Sequence, residues 1–298
     1  GSGVDDFAVF ITSQGEAIVY QGTNPASATT WAKVGSYSIG RPIGRRCVTQ
    51  YGAEVVILTE NGAYQISALL RAAETESDQF ALSYKIQTAF TEAARSYFSI
   101  FGWKAQVFPN RDALLVNVPR AEDGVHEQYV MNTITKAWCK FTDWAAEDFG
   151  VFNGELYFTA GTVVYKAWTG TADAGANINF YAKQAFQDFG SQQPKLVKLF
   201  MPIIATNGNV AYGADVDVDF DDDEITSTVS FTVTAGAVWD ASNWDESFWA
   251  QGQEVVKQWN SPSEYPGRWI AGKLKITSNA LVCQWMGSTL HYEDAPSL

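Results

Sequence analysis

The sequence predicts an all-β protein: a β-propeller-like region, partial in strand count and carrying one helix, followed by a β-sandwich. Three observations predict it. Short apolar runs recur about every 8–12 residues between Gly, Asn and Ser turns, the spacing of sandwiches, barrels and propeller blades. Aromatics are abundant, with 11 Trp, 13 Tyr and 18 Phe in 298 residues, a load that suits strands better than helical bundles. Small, turn-forming residues fill Thr169 to Asn177 with no apolar period, which marks a change of unit.

The elements follow in order. Phe7 to Thr12 and Ala17 to Gln21 flank the hairpin turn Ser13-Gln14-Gly15-Glu16. Glu54 to Thr59 and Ala63 to Ser67 flank Glu60-Asn61-Gly62, and Asn-Gly is a strong short hairpin signal. A polar loop from Arg71 to Gln79 precedes the one helical stripe. In that stripe Ile86, Phe90, Ala93, Ala94 and Tyr97 recur at helical spacing, so a helix is expected near 84–98. Strands then run over Lys104 to Phe108, Ala113 to Val118, Glu127 to Asn132 and Ala137 to Phe141. Glu155 to Thr159 and Val163 to Lys166 form a further hairpin around Gly161.

A strand, a Gly turn and a strand ending in Tyr repeat at Tyr20, Tyr64 and Tyr165, as propeller blades would. About three such units precede the linker, too few for a closed propeller. The expected boundaries are 4–170 for the propeller-like region, 171–177 for a linker and 178–298 for the sandwich. Within the sandwich the strands are Ile178 to Gln184, Lys195 to Ile204, Val210 to Phe220, Thr226 to Thr234, Lys273 to Thr277 and Ala280 to Tyr292.

Composition narrows the function classes. With 20 Lys and Arg against 33 Asp and Glu, the net charge is −13. A general nucleic-acid or anionic-membrane binder would need a cationic face instead. Three scattered cysteines, Cys47, Cys139 and Cys283, have no metal or redox spacing and read as small buried hydrophobes. The apolar run Leu199 to Ala205 contains Pro202 and is far short of a membrane span. Gly1-Ser2-Gly3 lacks Met and reads as a cloning remnant, so natural sequence is expected upstream.

Chemistry-bearing motifs are sparse. Phosphate-loop, nucleophile-elbow, zinc-protease and dinucleotide signatures are absent, and no cofactor or metal is expected. His126 reads as a surface residue near a strand start. The run from Asp215 to Glu224 begins like a calcium loop, but Phe220 stands where Gly is needed. Period-2 alternation explains it instead, with Val216, Val218 and Phe220 facing a core and Asp215, Asp217, Asp219 and Asp221 facing water. Two candidate interaction surfaces remain. Arg41, Arg45 and Arg46 form a compact basic cluster, suited to an anion or to acidic neighbours. Trp239, Trp244 and Trp249, at fivefold spacing, are suited to stacking on sugar rings or to pinning a loop.

Several segments together resemble one family, the propeller-containing tail hub, nozzle or stabilization proteins of short-tailed bacteriophages. They are 53–64 (Ala-Glu-Val-Val-Ile-Leu-Thr-Glu-Asn-Gly-Ala-Tyr), 101–110 (Phe-Gly-Trp-Lys-Ala-Gln-Val-Phe-Pro-Asn), 113–119, and 129–133 with 136–141. Phe152-Asn-Gly-Glu-Leu-Tyr-Phe158 and Val238-Trp-Asp-Ala-Ser-Asn-Trp244 complete the set. In order and spacing they resemble that family over most of the chain, and by length the chain resembles its later portion. The resemblance implies a structural virion protein with no enzymatic activity. It would form part of a homo-oligomeric ring around the DNA channel at the head-to-tail end. It would contact other tail or connector proteins, and touch passing DNA only without sequence specificity. It would reside in the virion tail, and in the host cytoplasm during assembly, with no membrane partner. Two other classes compete: a carbohydrate- or receptor-binding propeller module, marked by exposed Trp rings along a groove, and a polysaccharide hydrolase, marked by a carboxylate pair across a cleft.

Overall fold

The first strands, β1 (Phe7–Ile11), β2 (Glu16–Gly22) and β3 (Trp31–Ser38), form an antiparallel meander in the order β1-β2-β3. Gly15 makes its tight turn, with φ +87°. A Cβ there would lie 2.4 Å from the Gly40 backbone, so only glycine fits. These coordinates are a computed structural model that describes residues 7–27, 29–71, 80–120, 126–225, 228–231, 253–262, 265–279 and 281–295.

The second meander is β4 (Val48–Tyr51), β5 (Glu54–Thr59) and β6 (Gly62–Gln65). It runs directly into a short helix, α1 (Ile66–Arg71), where the sequence predicts continued strand to Ser67. The expected helix is present as a 3₁₀ turn, Tyr84–Ile86, followed by α2 (Gln87–Tyr97). Its stripe behaves as read: Phe90, Ala93 and Ala94 are buried. The third sheet has four strands in the order β10-β9-β8-β7, comprising β7 (Lys104–Phe108), β8 (Ala113–Pro119), β9 (His126–Asn132) and β10 (Trp138–Phe141). The fourth is β11 (Asp148–Phe152), β12 (Glu155–Ala160) and β13 (Val163–Lys166). Four blade-like meanders thus precede residue 169, one more than the sequence count. Among the described residues no strand of the first pairs with one of the last, so the propeller is not closed.

Every residue of β8 is buried, because the strand has a core on each face. Leu114, Val116 and Val118 join Phe90, Trp103, Tyr64 and Ile57 in the core shared by the first three sheets and α2. Ala113 and Leu115 point the other way, toward Phe149, Leu156 and Ala167. There Trp144 stacks on Phe158 at 5.4 Å and meets Trp168 edge-on at 5.7 Å.

The chain divides into two compact units, Gly1–Trp168 and Thr169–Leu298. The second is a β-sandwich. Its strands are β14 (Ile178–Lys183), β15 (Lys195–Thr206), β16 (Val210–Val218), β17 (Val229–Phe231), β18 (Glu254–Lys257), β19 (Pro266–Gly267), β20 (Ile270–Ser278) and β21 (Cys283–Asp294). One sheet has the order β14-β20-β16-β17. In the other, β15 pairs with β18, β19 and β21. Phe200, Ile204, Tyr212, Ala214, Leu274 and Ile276 fill the layer between them. Among the described residues, no helix is long and apolar enough to cross a membrane.

Candidate functional site

The arginine cluster lies in the loop between β3 and β4, and its members have different partners. The Arg41 guanidinium sits over the Phe98 ring, 4.6 Å from its centroid. Arg46 sits over Phe101 at the same distance. It also bonds the Asp148 carboxylate at 2.6 Å and donates to the Glu147 carbonyl at 3.2 Å. Lys104 on β7 takes the other Asp148 oxygen at 2.7 Å. Partial burial pushes the Asp148 carboxyl up. The Lys104 hydrogen bond and charge, with the Phe149 amide and Arg46, outweigh burial and hold it below its ordinary value. Arg46 therefore clamps the loop before β4 to the start of β11. Arg45 is exposed and makes no ion pair among the described residues. Trp239, Trp244 and Trp249 lie outside the described residues.

Beside that clamp is a buried polar cluster which corrects the reading of His126. This histidine is 6% exposed, not a surface residue. β8 and β9 pair through Asn117 with Gln128 and Pro119 with His126, which puts all three polar side chains on the face toward the fourth sheet. Asn117 Nδ2 donates to the carbonyls of Gly102 and Ala146, each at 2.8 Å, and lies 3.2 Å from His126 Nδ1. Gln128 Nε2 donates to Asn117 Oδ1 at 3.0 Å, which fixes the orientation of the Asn117 amide. The two Asn117 amide hydrogens point at those two carbonyls, so His126 Nδ1 packs against an amide nitrogen whose donors are already in use. Burial lowers its pKa, Glu147 pulls it up, and Arg46 lowers it further. The burial is not legible in sequence because a histidine after Gly-Val reads as an exposed strand start, and nothing local shows that a second sheet covers it.

A groove of about 480 Å³ runs between α2 and the third sheet, lined by Glu92, Tyr97, Arg120, Glu127, Tyr129 and Lys140. Its charges neutralise one another. Glu127 bonds Arg120 at 3.2 Å and Lys140 at 3.5 Å, and Arg120 also lies over Tyr97. Of the three cysteines expected to be buried only Cys47 is; Cys139 is exposed on the outer strand β10 and Cys283 is half-buried. Desolvation raises the Cys47 and Cys139 thiols, so neither is poised as a thiolate nucleophile. Among the described residues, no group of three or more His, Cys, Asp or Glu is arranged to hold a metal.

The acidic strand is also corrected. Asp217 is 2% exposed and Asp215 is 6% exposed, whereas Phe220 is 65% exposed. β16 ends at Val218, and the chain then turns through two left-handed residues, Asp219 (φ +49°) and Phe220 (φ +70°). That turn breaks the alternation and brings 221–225 back over the outer face of the sheet. Asp217 is paired with the buried Lys273 of β20 and, at 3.2 Å, with Lys183 of β14. Lys183 also reaches Asp222 at 2.6 Å, and Lys273 donates to the Asp223 carbonyl. Asp219 Oδ1 accepts from the Arg268 and Trp269 amides at 2.8 and 3.0 Å, so it closes a turn instead of facing water alone. Cross-strand neighbours thus turn an apparent solvent face into a covered ion-pair network.

Apolar exposure concentrates on edge strands. On β13, Val163, Val164 and Tyr165 are exposed. On β14, Ile178, Phe180 and Tyr181 are exposed. Among the described residues, both strands terminate their sheets.

No family model matches the chain, and no curated protein matches it. Among solved structures it is similar to the insecticidal delta-endotoxin Cry8Ea1 from Bacillus thuringiensis, at 6% identity and a TM-score of 0.23. The match covers 97% of this chain and 51% of that one. At that score the likeness carries no argument about function.

Proposed function

We propose that the protein is a structural component of a short-tailed bacteriophage tail, a subunit of a ring around the DNA channel that anchors neighbouring tail parts. The observation that carries the proposal is the pair of sheet edges, β13 and β14, left open among the described residues, with apolar side chains standing exposed on both. An uncovered edge offers a row of unpaired amides and carbonyls, and monomeric proteins blunt such edges with charge, proline or bulges. Here Lys166 and Lys183 stand only at the strand ends. Copies of the chain are the occupants this reading supplies. A ring contact is heterologous, so it needs two different surfaces on each subunit.

Other features support the same reading. The net charge of −13 lets DNA pass without sticking, since phosphates are repelled and no counterions are released. Six ionisable side chains of the first unit are paired with one another, in the Arg46–Asp148–Lys104 clamp and the Arg120–Glu127–Lys140 cluster. That use of charge suits a scaffold without catalysis. Antibodies raised against the chain should decorate the tail vertex of particles produced from the genome that encodes it, as seen by electron microscopy. Particles that lack the protein altogether, while remaining complete and infectious, would overturn the proposal.

A further inference from the structure

The second unit carries an uncharged groove at its open edge. The groove holds about 430 Å³ and lies where residues 184–190 leave β14 and face β21, an edge strand. Leu290 and Ile270 line it with Gln184, Gln187, Ser288 and the rings of Phe189 and Tyr292. Among the described residues none that lines it is charged, although the whole chain carries −13. An anionic ligand is opposed by that overall charge, and a cationic one finds no carboxylate in the groove. A neutral polar ligand fits both facts.

The polar groups are set for hydroxyls. Gln187 bridges to Ile270 through its backbone, with N–H to O at 2.9 Å, and this leaves its exposed side-chain amide without a partner among the described residues. Gln184 Nε2 meets Ser288 Oγ at 2.7 Å, leaving the Gln184 carbonyl oxygen and the Ser288 hydroxyl hydrogen for a ligand. A side-chain amide presents a donor and an acceptor side by side, the pattern that two adjacent hydroxyls complement.

The rings show the strongest sign of a built site. Phe189 and Tyr292 stack at 5.6 Å with 23° between planes, and both are exposed, at 41% and 37%. Phe189 has φ +50° and Gly190 φ +74°, the left-handed pair of a two-residue turn whose first position normally takes Asn, Asp or Gly. A bulky aromatic in that conformation is strained. Asp188 holds the turn by accepting from the Gly190 amide at 3.0 Å. Strain and apolar exposure are accepted together, and what they secure is an aromatic platform at the lip of the groove.

We infer that this groove binds a neutral saccharide chain, with C–H faces of a sugar ring against Phe189 and Tyr292 and hydroxyls on Gln187, Gln184 and Ser288. This site is separate from the tryptophan-rich segment and does not depend on ring assembly. The test is calorimetric titration of the whole chain with neutral gluco-, manno-, galacto- and N-acetylglucosamine oligosaccharides, with polygalacturonate as the acidic comparator. At least one neutral oligosaccharide should bind with millimolar or better affinity, unchanged between low and high salt because no ion pair is involved. Phe189→Gly relieves the backbone strain, so the fold should persist, while affinity should fall about tenfold or more. Gln187→Ala should weaken binding several-fold. Absence of binding by every neutral oligosaccharide up to about 10 mM, affinity unmoved by both substitutions, or equal binding of polygalacturonate would each overturn the inference.

Discussion

His126 shows how one buried residue couples the first unit to pH. Its Nδ1 lies 3.2 Å from the Asn117 amide nitrogen, whose two hydrogens go to the Gly102 and Ala146 carbonyls. Protonation would set an N–H against an N–H inside the protein, and an unmatched buried polar group is costly. Glu147 favours the charged ring, while burial and Arg46 oppose it. Arg46 is itself tied to Asp148, and Asp148 to Lys104. Because the folded-state pKa lies below the unfolded value of about 6.5, the unfolded chain takes up the proton first as pH falls. Stability is therefore full above about pH 6.5 and declines below it. Asp148 has a lowered pKa too, but its contribution is lost only below about pH 3.9, in a separate window. Denaturant titrations between pH 7.5 and 5 should show the midpoint falling with acid, and His126→Gln should flatten that slope. An unchanged slope in the variant would show that His126 is not the titrating group.

At the scale of elements, turns and stripes were legible where local chemistry decides them. Asn61-Gly62, Gly15 and Gly161 mark hairpins, and Ile86, Phe90, Ala93 and Ala94 mark α2, because backbone conformation and amphipathic period act within a few residues. β4 and β11 were not legible. Val48–Tyr51 is short, and Asp148–Phe152 opens on Asp and contains Gly150, residues depleted in strands. They pair because neighbouring strands present partners, which is non-local information. The acidic strand fails for a related reason. Alternation tells which side chains share a face of β16, but what covers that face is decided by Lys183, Lys273 and the returning 221–225 segment. The consequence is measurable. Asp217→Asn leaves the buried Lys273 ammonium without its carboxylate and should cost about 3–5 kcal/mol in unfolding free energy. Lys273→Met leaves Asp217 with Lys183 as its remaining partner and should cost less, but still well above about 1 kcal/mol. Asp221→Asn, an exposed position in the same run, should stay within about 0.5 kcal/mol. Equal, small effects at all three positions in chemical denaturation would mean that the network is solvated after all.

On the scale of the whole molecule, the all-β class was readable from the spacing of apolar runs, and assembly was not. A sequence shows which residues are apolar, whereas edge status emerges only when strands are ordered in sheets. Val163 to Tyr165 read as an ordinary hairpin strand until β13 proved to be the last strand of its meander, with all four residues exposed. The central claim is that such edges are covered by further copies. A charge of −13 per subunit opposes association at low ionic strength, so assembly should strengthen as salt screens the repulsion. Sedimentation velocity of the complete gene product across salt concentration, with class averages of the same samples by electron microscopy, measures this directly. The expected result is one closed species of fixed rotational symmetry that dissociates when charged residues are placed on β13, as in Val164→Lys. A complete protein that remains monomeric at tens of micromolar, at every salt concentration and in the presence of purified connector rings, would contradict the account.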